Sequence, residues 1–183
     1  MKSFLPSMFY YGFPVVLLTT IDKDGNADVT PISCNFTLGT NAVIALVKLN
    51  KAYHNVMEVP EVVFNLPSAE MWEKVEAIAP YTAQNPVPPQ KVGKYAYTDD
   101  KFAIGGFTQL PSEKVRVPRI AECPIQAEAV VKRVNDRGTY ALIELEFVQV
   151  HAEDHLVMEE NKINPLAWEP LIYNFKHYYS LGE

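Results

Sequence analysis

Apolar and polar positions alternate along much of this chain with the two-residue period of a half-buried strand. Short aliphatic runs between turn residues mark strands buried on both faces. Pro14 to Asp22 reads PVVLLTTID, Lys23 to Asn26 KDGN, Val29 to Asn35 VTPISCN and Val43 to Leu49 VIALVKL. β-Branched and aliphatic residues suit a pleated surface, and the Asp24-Gly25 pair supplies the positive φ of a tight hairpin turn. The pattern predicts strands over 14–21, 27–36 and 42–49 in an antiparallel core. Lys51 to Pro67 predicts a short helix with Val56 and Val59 facing inward, stopped near Pro60, and then a strand through Val62 to Leu66. Ser68 to Thr82 predicts the clearest helix, capped by Ser68, with Met71, Val75, Ile78 and Ala79 at helical spacing and Pro80 at its end. Gln84 to Phe102 is rich in Pro and polar residues and reads as a long irregular loop, the kind that serves as a lid or binding loop. Ile125 to Asp154 predicts a second hairpin turning at Asn135 to Gly138. Ala141, Ile143, Leu145, Phe147 and Val150 lie on one face of its second strand, and Leu142, Glu144 and Glu146 on the other. The aromatic-rich residues 1–13 read as an opening helix or arm laid over apolar surface.

Composition narrows the class. With 183 residues, 48% of them hydrophobic, the chain suffices for one well-buried core and is short for two, so a single domain is expected. A formal net charge of -6 argues against a broad nucleic-acid surface, while leaving room for a small local basic pocket. No apolar run approaches the roughly 20 residues of a membrane span, and the N-terminus lacks a signal-peptide core. The expectation is a soluble, cytoplasmic protein. Cys34 and Cys123 are too far apart for a CxxC pair or a zinc ribbon. They read as buried thiols, with Cys34 also placed to touch a ligand. His151 and His155, beside Glu153 and Asp154, raise a metal site, but a loop after a strand gives no convergent ligand set, and no metal is expected.

Three segments carry candidate chemistry. Between predicted strands, Thr30, Ser33 and Asn35 stand beside Pro31, a set of short polar groups and backbone amides that can hydrogen-bond the edge of a planar ligand or simply satisfy a turn. Asn50 to Asn55 (NKAYHN) opens a predicted helix, where free amides and one Lys suit an anion; otherwise Lys51 and His54 are ordinary surface residues. Asp100 to Thr108 (DKFAIGGFT) offers Lys101 and Phe102. Its Gly pair reads as a turn, and the GxGxxG spacing of a dinucleotide-binding unit is absent.

Taken in order with VVFNLP (Val62 to Pro67), AECPIQAEAVV (Ala121 to Val131) and the closing YNFKHYYSLGE, these motifs resemble the flavin reductase-like, FMN-binding split-barrel family, particularly its flavoredoxin-like branch. The resemblance runs from Pro14 to Glu183. It implies a mainly β fold with flanking helices, a Greek-key split barrel, and a homodimer binding FMN non-covalently near the subunit interface. It assigns Thr30, Pro31, Ile32, Ser33, Cys34 and Asn35 to the isoalloxazine and ribityl parts, and Asn50, Lys51, Tyr53, His54 and Asn55 to the phosphate. Lys101 would place a positive charge near the flavin or an anionic donor, and Phe102 would line the pocket. Tyr53 and His54 stand where hydroxyl residues are frequent in the family. The implied activity is that of an FMN-dependent oxidoreductase taking electrons from NAD(P)H or a redox protein, with no acid or base residue assigned. Gly138-Thr139-Tyr140 replaces the Gly-x-His of many NAD(P)H:flavin reductases, so flavin binding carries over further than nicotinamide oxidation. The alternative is a non-catalytic flavin-binding or scaffold protein on the same barrel.

Overall fold

The structure, a computed structural model, describes residues 1–6, 9–159 and 162–181. Ser7 and Met8 of the opening segment, and Gly182 and Glu183 of the closing motif, lie outside the described residues. In chain order the strands and helices are β1 (Tyr11–Pro14), β2 (Val16–Ile21), β3 (Ala27–Ile32), β4 (Asn35–Leu38), β5 (Asn41–Val47), α1 (Lys51–Glu58), β6 (Glu61–Leu66), α2 (Trp72–Ile78), α3 (Lys101–Gly105), β7 (Gln109–Leu110), β8 (Arg119–Ile120), β9 (Ile125–Asp136), β10 (Tyr140–Ala152), β11 (Val157–Met158), β12 (Lys162–Ile163), β13 (Ile172–Asn174) and β14 (His177–Tyr179).

Seven strands form one antiparallel sheet in the order β3-β2-β6-β9-β10-β5-β4. Its two edges, β3 and β4, are consecutive in the chain and separated only by Ser33 and Cys34. That link spans at most about 11 Å. The sheet therefore has to curl until its edges face each other, a barrel split where the chain crosses. The curl gives one shared interior: Val16 and Leu18 of β2, Ile44 and Leu46 of β5, Val62 and Phe64 of β6, and Ile143 and Leu145 of β10 belong to a single core, which Ala52 and Val56 of α1 close. β2 is buried along its whole length because its other face is covered too. Val15, Leu17 and Val29 pack outside the barrel against Val75 and Ile78 of α2 and Phe102 of α3. Burial on both faces explains why its sequence reads as a continuous apolar run rather than an alternating one.

The two hairpins form as the pattern predicts. Asp22 accepts hydrogen bonds from the amides of Asp24 (3.0 Å) and Asn26 (2.9 Å), and Gly25 has φ +87°. The helix over Lys51–Glu58 ends at Val59, before Pro60. Other expectations are corrected. The strand predicted over 27–36 breaks at Ser33, because β3 pairs with β2 whereas β4 pairs with β5. The helix predicted over 68–82 is a single 3-10 turn (Ala69–Met71) leading into α2, and the Ser68 side chain caps nothing. There the C-terminal segment takes over: the amide of Ala69 donates to the carbonyl of Glu169 (2.8 Å) and Ser68 bridges to Pro170. Val150 is 52% exposed rather than part of the barrel core; a register shift between Phe147 and Gln149 places it opposite Ala127, near the end of β10. The opening segment is an arm rather than a helix, joined through β1 to β13 in a small sheet with β14. The 84–102 loop is irregular but ends in α3, which begins at Lys101.

One buried carboxylate holds the loop between β7 and β8. Glu128 is fully buried in β9; its Oε2 accepts hydrogen bonds from the amides of Lys114 (2.6 Å) and Val115 (3.1 Å), and its Oε1 accepts one from the amide of Glu113 (2.8 Å) and lies 2.6 Å from His151 Nε2. Burial alone would raise its pKa; these bonds outweigh burial and hold it below the ordinary value. Glu128→Gln is expected to cost about 2–4 kcal/mol in urea unfolding near neutrality. Because the folded-state pKa is depressed, this stabilisation is complete above the unfolded carboxylate pKa and is lost as pH falls through the folded one. The gap between wild type and variant should therefore close in acid.

Candidate functional site

Asp28 and Thr30 are two residues apart on β3 and share a face. Behind them lies Lys101, 1% exposed, at the start of α3. Its Nζ is 2.9 Å from Asp28 Oδ1 and 3.1 Å from Oδ2, and Thr30 Oγ1 donates to Asp28 Oδ2 at 3.2 Å. α3 is held close by its glycines. A Cβ on Gly105 would stand 2.2 Å from the Phe107 ring, and Gly106, at φ +60°, ends the helix. Burial lowers the pKa of Lys101, Asp28 pulls it back, and Lys51 depresses it further.

Lys51 opens α1, with Nζ 5.4 Å from the Tyr97 ring centroid. Its amide donates to the carbonyl of Thr82 at 3.3 Å. Asn50 is the residue before the helix, yet its side chain caps no amide and accepts a hydrogen bond from Lys91 Nζ instead. Lys91, in the Pro-rich loop, is 7% exposed. Its Nζ also donates to Thr82 Oγ1 (3.1 Å) and Thr82 O (3.3 Å) and sits 4.8 Å from the Tyr95 ring centroid. Burial, and then the charge of Lys101, push its pKa down to about 8. Three ammonium groups from α1, the loop and α3 thus lie within electrostatic reach of one another, beside a helix start whose first amides have no partner within the helix.

The structure places the remaining sequence-selected residues as follows. Ile32 packs on the barrel core, and Pro31 and Ser33 are half-buried. Cys34 Sγ donates to Tyr10 Oη at 3.7 Å, and Asn35 Nδ2 donates to Pro14 O at 3.1 Å. That contact with Cys34, then burial, push the Tyr10 phenol up to about 12. Tyr53 packs on the barrel and meets the exposed His54 edge-on at 5.5 Å. Asn55 turns inward and donates to Thr20 Oγ1 at 3.0 Å. Phe102 is buried in the outer core. Tyr10 lies 5.9 Å from Tyr173, and Tyr95, whose ring lies under Lys91, is within electrostatic reach of both phenols.

Sequence reading missed Lys91, Thr82 and Tyr95. The one available clue was a lysine shortly before Tyr95 and Tyr97 in a loop long enough to fold back.

Two clefts lie elsewhere. One of about 580 Å³ is lined by Trp72, Glu76, His177 and Tyr179, and one of about 340 Å³ by Glu122, His155 and Trp168. Neither includes a residue of the lysine cluster. His155 is exposed beside Glu153 (3.3 Å), and among the described residues no group of three or more His, Cys, Asp and Glu is arranged to hold a metal ion. Among the described residues no helix is long and apolar enough to cross a membrane.

Residues 8–182 match the flavin reductase like domain family. The uncharacterized protein YdfE of Bacillus subtilis (strain 168) is 39% identical over 186 residues, covering 99% of this chain and 89% of its own. Flavoredoxin of Desulfovibrio vulgaris (Miyazaki F) superposes with a TM-score of 0.83 at 20% identity, over 100% of this chain and 94% of its own. The FMN-binding protein from Thermus thermophilus, solved with bound 1-cyclohex-2-enone, superposes with a TM-score of 0.74 at 15% identity, over 100% and 94%. The fold is the split barrel that the sequence motifs implied.

Proposed function

Because the chain belongs to the flavin reductase like family, we propose that it is a cytoplasmic FMN-dependent oxidoreductase whose lysine cluster holds the flavin phosphate and whose residues 30–35 border the ring. The observation that carries this reading is Lys91: a buried ammonium whose partners are Asn50 and Thr82, with no carboxylate beside it among the described residues, in a protein of net charge -6. A phosphomonoester would take the place of one of these neutral acceptors, since the three ammonium hydrogens already have partners. Lys51 and Lys91 provide charge-assisted bonds and the first turn of α1 provides amides, whereas Lys101 stays behind β3, neutralised by Asp28. When bound, the flavin supplies the hydride and single-electron chemistry. The protein's part is position and exclusion of water. Ser33 and the neighbouring amides offer small donors, and Tyr10, holding its proton well above neutrality, keeps an uncharged wall beside them. The unpaired thiols Cys34 and Cys123 suit a reducing compartment.

The edge strand β4 leaves Phe36 61% and Leu38 71% exposed, with Val47 of β5 and Tyr140 of β10 also exposed on the same face toward the other end of these strands. An open apolar edge is an aggregation hazard unless something covers it. A second copy of the chain is the occupant in this reading, giving a homodimer. Sedimentation should show a dimer, and Phe36→Glu combined with Leu38→Glu should yield monomers; a wild-type monomer carrying flavin would exclude the dimer.

The electron donor in this reading is NADH, NADPH or a reduced redox protein meeting the flavin directly, since the chain has no GxGxxG unit. The test is anaerobic stopped-flow of the flavin-loaded protein against each donor, following loss of the oxidised flavin's visible absorbance. Rapid bleaching by one of them supports the oxidoreductase. A yellow protein that none of them reduces supports the non-catalytic flavin-binding alternative, and a protein that binds no flavin overturns both.

A further inference from the structure

Lys91 and Lys101 are both buried, 7% and 1% exposed, but their surroundings differ. Lys101 faces Asp28 at 2.9 Å, whereas the acceptors around Lys91 are neutral: Asn50 Oδ1, Thr82 O and Thr82 Oγ1, over the ring of Tyr95. Among the described residues, the charge that acts on Lys91 is that of Lys101 on α3, which in turn feels Lys51 on α1 and is bonded to Asp28 on β3. The other titratable groups there are the phenols of Tyr95, under Lys91, and Tyr97, under Lys51. A buried cation that lacks a counter-ion is costly in its charged form.

We propose that Lys91 is a specificity-determining residue of this site: it takes up a proton from solvent as a phosphomonoester dianion enters, so that binding reads the charge of the ligand. The inference rests on the reading that the lysine cluster holds the flavin phosphate. The dianion is the counter-ion the site lacks, and above the ligand-free pKa the amine becomes the ammonium that meets it. Without ligand, burial and Lys101 hold the pKa of Lys91 at about 8. The bound phosphate raises it. Affinity is therefore complete below the ligand-free pKa and falls about tenfold per pH unit above it, until the pKa of the complex is reached. The phosphate's own second ionisation, near pH 6, sets the lower limit of the useful range.

The test is titration of the flavin-free protein with FMN and with riboflavin from about pH 7 to 9.5, a range above the phosphate's own ionisation, read by quenching of flavin fluorescence. It is paired with calorimetry of FMN binding in buffers of different ionisation enthalpy. FMN affinity should fall with pH in that range, riboflavin affinity should not, and the calorimetric enthalpy should show proton uptake. Lys91→Arg, charged throughout, should keep the preference for FMN and flatten the profile. A preference for FMN with a flat wild-type profile and a buffer-independent enthalpy overturns the proton coupling and leaves the phosphate site standing. Equal affinities for FMN and riboflavin at every pH overturn the phosphate site and the coupling with it.

Discussion

Asp28→Asn is expected to destabilise the fold by about 3–5 kcal/mol, because it strips the carboxylate partner from an ammonium that has almost no contact with water. The substitution keeps shape and a hydrogen-bonding oxygen, so the loss reports on charge rather than on packing. Lys101 already has a depressed pKa with Asp28 in place, and without that carboxylate it falls further. A lysine whose folded-state pKa lies below its unfolded one penalises the fold while it stays charged. The penalty is relieved as pH rises through the folded value. The variant should therefore regain part of its stability in mild alkali, where wild type gains less. Asp28→Asn combined with Lys101→Met removes both charges and should recover most of the loss. Urea unfolding of the three proteins at two pH values checks all of this. An Asp28→Asn variant as stable as wild type would mean that the pair is not closed off from solvent.

Lys91→Met is expected to weaken FMN binding about tenfold to a hundredfold, the range of a charge-assisted hydrogen bond, and to leave riboflavin binding unchanged. Met fills a similar volume, and the relief of losing a buried cation offsets the loss of the donor to Asn50 and Thr82, so thermal stability should change little. The pair of ligands separates local chemistry from general damage. A distorted site would lose both flavins, whereas loss of a phosphate ligand affects only the phosphorylated one. Fluorescence titration of both flavins on wild type and variant is sufficient, and equal losses for the two would remove Lys91 from the phosphate site.

What the sequence discloses follows from how local each feature is. The β2–β3 and β9–β10 hairpins are legible because their alternation and their Gly25 and Gly138 turns lie within one short stretch, both glycines having positive φ. α1 is equally legible from Val56, Val59 and Pro60. Barrel closure is not, since nothing in Ser33 or Cys34 says that the strands on either side pair with different neighbours. Thr30 illustrates the limit for the site. As a short polar residue beside Pro31 it read as part of a ligand loop, yet it lies in β3 and bonds Asp28, the partner of a lysine 73 residues away in sequence. Lys91 was hidden for the same reason. Its partner Asn50 is 41 residues distant, and its loop has no period to follow. Asn55 sits at a helix start that suited an anion, but the helical repeat turns it toward Thr20 inside the fold.

The lysine cluster as the phosphate site is tested most directly by a crystal structure of the protein grown with FMN. The phosphate should lie within hydrogen-bonding distance of Lys91 Nζ and of the first-turn amides of α1, with the isoalloxazine ring against residues 30–35. A phosphate bound away from Lys91, or a flavin seated in the cleft between Trp72 and His177, would contradict it.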